Sequence, residues 1–294
     1  MFRMSKLYTF LFSMENRAKL ERLTVFLAIG GFFTHLILIG LGQLAGVELL
    51  DGQLLQNPIN AIYTPFSFIL IYEIYLLIFY LPRSFSTSLL KQFEVISLIM
   101  VRRVFGDITK IDFTQIELTD PGFTNLLVDL AAVLIMALAI LLFIKAKNKL
   151  KIFGQPDMDP NEDRFNSLKR HVSAILLVIL GGISLLHLCD FTVLQVTGSH
   201  WINSFNNDLD AIFYKDFFTT LILADVLILL LSYALSQDYF KLIRNTGFVI
   251  TTILLRLSFG ASQPLDVLLI ITGALFGYLM LLMYIAYSRE LQVK

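Results

Sequence analysis

The sequence predicts an all-α integral membrane protein of eight transmembrane helices, built as a tandem parallel duplication of a four-helix unit. Three observations lead there. First, 56% of the 294 residues are hydrophobic and only 16% are charged, with a mean hydropathy of +0.74. Soluble domains run near a quarter charged, so most of this chain is solvated by lipid. Second, apolar segments recur at the length of roughly 20 residues that a bilayer core demands. Third, two shorter and more polar stretches, 91–106 and 244–260, match without gaps. Aligned from Val95 and Val249 they share Val-Ile, a hydroxyl (Ser97, Thr251), Ile99 with Ile253, Arg102 with Arg256, and a closing Phe-Gly. Each reads as the third helix of its unit.

Residues 1–23 form an expected cytoplasmic amphipathic segment. Phe2, Leu7, Phe10, Leu11 and Met14 make its apolar side, and Arg3, Lys6, Arg17, Lys19 and Arg22 suit the membrane interface. The apolar run that follows is span-length and lacks a small-residue cleavage pattern, so it reads as an anchor and not as a leader. The first membrane unit, 24–145, holds expected spans at 24–46, 61–82, 89–106 and 124–145. A cytoplasmic linker, 146–171, contains GQPDMDPNEDR, with two prolines and no apolar period, which reads as loop. The second unit, 172–294, holds spans at 172–196, 213–235, 243–259 and 265–287.

Cations decide whether the third helices cross, because Lys and Arg concentrate on the cytoplasmic side. The connection 47–60 carries Glu48 and Asp51 and no cation, so it belongs outside. If 89–106 crosses, the acidic segment 107–123 falls outside and Lys145, Lys147, Lys149 and Lys151 fall inside. If it does not, that lysine run lands outside. Eight crossings with both termini cytoplasmic satisfy every connection, and the plasma (inner) membrane is the expected location.

The duplication extends beyond the third helices. Gly30-Gly31 and His35 match Gly181-Gly182 and His187; Glu73 matches Asp225; Asp129 matches Asp266. Numbering offsets drift only from 151 to 154 across the first three helices. An even number of helices per unit gives both copies one orientation, as in transporters with parallel repeats.

Ionisable residues inside membrane helices are costly and are functional candidates by default. Arg102 and Arg103 sit near the outer end of their helix and Asp129 begins the next; Arg256 and Asp266 repeat that arrangement. The expectation is an outer ion-pair clamp in each unit, read either as a fastening between neighbouring helices or as an ion-attracting vestibule. Lys91, Glu94 and Arg102 fall within an arc of about 80° at 100° per residue, which makes one face of the third helix polar. Glu73 and Asp225 lie deeper, and an unpartnered carboxylate in hydrocarbon takes up a proton in preference to staying charged. Together with Lys91, Glu94, His35 and His187 they are the candidates for transport or proton coupling. Satisfied by a neighbouring hydroxyl or cation, the same carboxyls would only hold helices together.

Other chemistry is thinly represented. His35 and His187 on pseudo-symmetric helices could ligate one haem iron from both sides, though no haem-specific pattern accompanies them and no cofactor is otherwise expected. A lone Cys189 excludes an intramolecular disulfide and a multi-cysteine metal site. Equal numbers of acidic and basic residues argue against a nucleic-acid partner. No phosphate loop, zinc-protease motif or nucleophile elbow occurs, so no enzyme is expected, and the arginine ladder of a voltage sensor is missing. The leading functional expectation is passage of a small ion or solute along the polar third helices. The alternative is a non-transporting membrane scaffold or regulatory subunit, and the third is a haem or quinone electron carrier. The expected partners are the lipid bilayer and a small ion or solute, with a homo-oligomer left open.

Overall fold

The computed structural model describes residues 12–45, 58–108, 121–153, 162–197, 209–235, 238–262 and 264–292. Among them the chain is helical, with no strand. The helices are α1 (Met14–Ala45), α2 (Tyr63–Tyr80, preceded by a 3-10 turn at Pro58–Ile62), α3 (Phe85–Ile108), α4 (Pro121–Phe153), α5 (Glu162–Thr197), α6 (Leu209–Leu235), α7 (Tyr239–Ser258) and α8 (Leu265–Gln292). Each expected span overlaps one of these helices. Four of them are long and apolar enough to cross a bilayer, through Met14–Gly42, Gly122–Leu150, Phe217–Leu235 and Leu265–Glu290. The apolar run Thr64–Tyr80 in α2 is shorter.

Local chemistry sets the helix ends. Ser13 opens α1 by accepting from the Asn16 backbone N–H at 3.1 Å, the usual role of a hydroxyl at an N-cap. Asp238 caps α7 in the same way, accepting from the N–H groups of Phe240 and Lys241. Pro82 follows the end of α2 and cannot donate to a continuing helix. Pro121 occupies the first position of α4, where its missing N–H costs nothing.

Two expected boundaries move. Residues 14–22, read as interfacial, run without a break into α1 as a helix of 32 residues; residues 1–11 lie outside the described ones. The linker 146–171 is helical at both ends, where α4 continues to Phe153 and α5 begins at Glu162; of the stretch read as loop, 154–164, residues 162–164 are helical and the rest lies outside the described residues. Lysines are good helix formers, so the charged run 145–151 extends α4 beyond its apolar part. Pro156 and Pro160 fall between the two helices.

Many large apolar residues lie on the outside, and several charged ones lie within a largely apolar interior. Phe26, Leu134, Ile71, Leu223 and Met283 are exposed, whereas Glu73, Gln92, Asp129, Lys169, Asp225, Asn245 and Arg256 are buried. Helix α7 shows this on one element: Asn245, Thr252 and Arg256 face inward while Ile250 and Leu257 face out. In water that pattern would be strongly unfavourable, and in lipid it is the favourable one.

The chain forms two compact units, 1–79 with 95–134, and 80–94 with 135–294. In the first, α1 and α2 meet closely at Gly31, where a Cβ would lie 2.8 Å from Phe68 and 2.9 Å from Thr64. Phe66 of α2 stacks on Phe105 of α3 at 5.1 Å. In the second, Phe143 of α4 lies against Phe93 of α3 and Phe248 of α7. The α7–α8 pair packs through glycines: a Cβ on Gly277 would sit 2.9 Å from Thr251, and one on Gly247 would sit 2.6 Å from Met280.

Candidate functional site

The second unit buries a connected polar network. Asp225 lies in the interior of α6, among Leu, Ile and Ala, and its carboxylate meets Arg256 of α7, with Nη1 2.7 Å from Oδ2. That contact is an ion pair by distance but is not aligned as a hydrogen bond, and Nε of Arg256 donates to no described group. Thr252, one turn before Arg256 on the same face, donates to Asp225 Oδ2 at 2.8 Å. Its hydroxyl also lies 2.8 Å from the Val249 carbonyl. Arg256 Nη2 donates to Gln92 Oε1 of α3 at 3.2 Å. Because arginine only donates, the Gln92 amide must turn its oxygen this way, and its Nε2 then faces Ser88 Oγ at 3.4 Å. Ser88, Gln92, Arg256, Asp225 and Thr252 thus form one chain across three helices. Within this network the cation and the carboxylate cancel.

A narrow cavity lies along this chain. Ser88 and Gln92 of α3, Asp225 of α6 and Thr252 of α7 supply its polar lining, and Leu89, Ile228 and Phe248 its apolar walls; it reaches Arg83 before α3. At about 20 Å³ it has room for roughly one water molecule.

The network departs from the expected clamp. The expected clamp pairs Arg256 with Asp266, whereas its partners are Asp225 and Gln92. Asp266 is buried in the first turn of α8, where Oδ1 accepts from the Val267 N–H at 2.7 Å. A carboxylate there is favoured by the positive end of the helix dipole, a role that spacing along the chain does not distinguish from ion pairing.

Among the other candidates, Arg103, Asp129, Glu73 and His35 belong to the first unit, and Lys91, Glu94 and His187 to the second. Arg103 of α3 grips Asp129 of α4 with two hydrogen bonds, Nε to Oδ2 at 2.6 Å and Nη2 to Oδ1 at 2.5 Å, and Asp129 is fully buried. Glu73 of α2 is 1% exposed, and its Oε2 has no hydrogen-bond partner. Arg102 acts on Glu73 through its field without an ion pair between them. His35 Nδ1 lies 2.5 Å from Thr64 Oγ1. The polar face of α3 carries a Lys91–Glu94 ion pair at 2.5 Å, with the Lys91 ammonium 5.5 Å from the Tyr80 ring centre. His187 is on α5, and its side chain lies outside the described residues.

Several contributors were not singled out from sequence. Gln92, Ser88 and Thr252 are uncharged and pass for helix-surface residues in a linear reading. Lys169 is buried, donates to the Arg83 carbonyl at 2.8 Å, and lies within 4.7 Å of the Phe85 and Phe165 ring centres; in sequence it stands in a hydrophilic stretch among other charged residues. The glycine packing of α8 did leave a signal, the small-residue spacing of Gly273 and Gly277.

Long apolar helices, lipid-facing hydrophobic residues and a charged network held inside are the marks of a helical membrane protein. Comparison with protein-family models, with curated proteins and with solved structures finds no match to the chain.

Proposed function

We propose that the protein passes a small ion through the membrane along the polar faces of α3 and α7, with the Asp225–Arg256 pair as the charged centre of the route. The observation that carries this reading is the cavity that runs beside Ser88, Gln92, Asp225 and Thr252. Polar lining around a buried carboxylate is how membrane proteins lower the barrier to an ion. Room for about one water restricts the cargo to a proton or a small, mostly dehydrated ion. The eight-crossing tandem arrangement in the plasma membrane, with both termini cytoplasmic, belongs to the same proposal. It rests on the sequence match that puts Glu73 and Asp225, and Arg102 and Arg256, at equivalent places of the two copies.

The second reading, a non-transporting scaffold, is favoured by one observation. Asp225 is engaged by both Arg256 and Thr252, which is what packing alone would ask of it. Purified protein in liposomes, with imposed gradients of protons, sodium, potassium or chloride, separates the two. Flux above empty liposomes is expected for one of these ions, with Ser88→Leu, which fills the cavity, lowering it about tenfold, equivalent to about 1.4 kcal/mol of barrier. Flux equal to that of empty liposomes for all four ions would leave the scaffold.

A further inference from the structure

We propose that Glu73 is a proton-exchange site in α2, and that its matched carboxylate Asp225 is not. The two have opposite surroundings. Asp225 is fixed by the Arg256 guanidinium and the Thr252 hydroxyl. Glu73 is 1% exposed and makes neither an ion pair nor a hydrogen bond with any described residue, with Oε2 shut away from solvent. A buried polar oxygen is costly unless it is hydrogen-bonded or its group is neutralised. A carboxyl in this position meets that demand by binding a proton, R–COO⁻ + H⁺ giving R–COOH, which removes the charge and adds a donor.

Among the described residues Arg102 of α3 is the charged group whose field reaches Glu73. The inference stands apart from the cavity beside Asp225, since Glu73 is not part of its lining. A failure of ion flux would therefore leave it intact, and its own failure would leave the cavity reading intact.

A hydrophobic carbodiimide tests it on the full-length protein in detergent or liposomes. The protonated carboxyl adds to the carbodiimide: the acid proton moves to nitrogen, the carboxyl oxygen bonds to the central carbon, and the acyl group then migrates to nitrogen with no leaving group. Peptide mass spectrometry should find the adduct on Glu73 at neutral pH, declining as pH rises, and none on Asp225. In parallel, infrared difference spectra over a pH titration should show a protonated-carboxyl band that is lost in Glu73→Gln and kept in Asp225→Asn. If Glu73→Gln does not fold, Glu73→Asp, which retains the carboxyl, should shift the titration of that band. An adduct on Asp225 in place of Glu73, or a carboxyl band indifferent to both Glu73 variants, would overturn the assignment.

Discussion

Asp225 and Glu73 separate what a buried carboxyl does when it has a partner from what it does without one. Asp225 and Arg256 neutralise one another where both are buried, and Thr252 and Gln92 take up further hydrogen-bonding positions. Removing one partner of such a pair leaves the other charge uncompensated, typically at a cost of about 3–5 kcal/mol. Asp225→Asn and Arg256→Gln should each lower the thermal unfolding temperature in detergent markedly. The double variant should lose less than the sum of the two, because both charges leave together. Strict additivity would show that the two side chains are not coupled.

Among the elements, α7 is the most informative. It buries Asn245, Thr252 and Arg256 beside Phe248, Val249 and Leu255 while Ile250 and Leu257 face out, and its contact with α8 depends on missing side chains. Gly277 faces Thr251 and Gly247 faces Met280 at distances no real Cβ could keep. Gly181 and Gly182 of α5 and Gly30 of α1, by contrast, have nothing within 4 Å. Gly277→Val should therefore destabilise by about 1–3 kcal/mol through overpacking. Gly181→Ala should be neutral or stabilise by up to about 1 kcal/mol, since Ala is the better helix former. Unfolding midpoints of the two variants side by side check this, and equal effects would argue against a glycine-dependent α7–α8 contact.

For the whole molecule, orientation is the property still open to direct measurement. The cation count places the Lys145–Lys151 run in the cytoplasm only if α3 crosses the membrane. Single cysteines at Asn148 and Asn161, in a Cys189→Ala background, should resist impermeant thiol reagents in intact cells, and cysteines at Gln53 and Gln115 should react. Labelling at Asn148 would mean that α3 does not cross, and the parallel tandem arrangement would fail with it.

The amino-acid sequence by itself determined the helical class, the positions of the apolar segments and which residues would be costly to bury. Composition and apolar run length decide these, and both are local. It also marked Arg102 and Arg103 with Asp129, since adjacent antiparallel helices bring residues at like depth together, and the fold selected Arg103. It did not determine that Arg256 turns to Asp225 instead of Asp266, because α7 offers the arginine neighbours on both α6 and α8 and only the rotation of the helix chooses between them. Nor did it show that Gln92, from α3, joins a network built on α6 and α7; that contact spans 164 residues of chain and has no local signature. The difference between a clamped Asp225 and an unpartnered Glu73 also arose only on folding, because in sequence both are single carboxylates in apolar helices and their chemistry is set by what the neighbouring helices present to them.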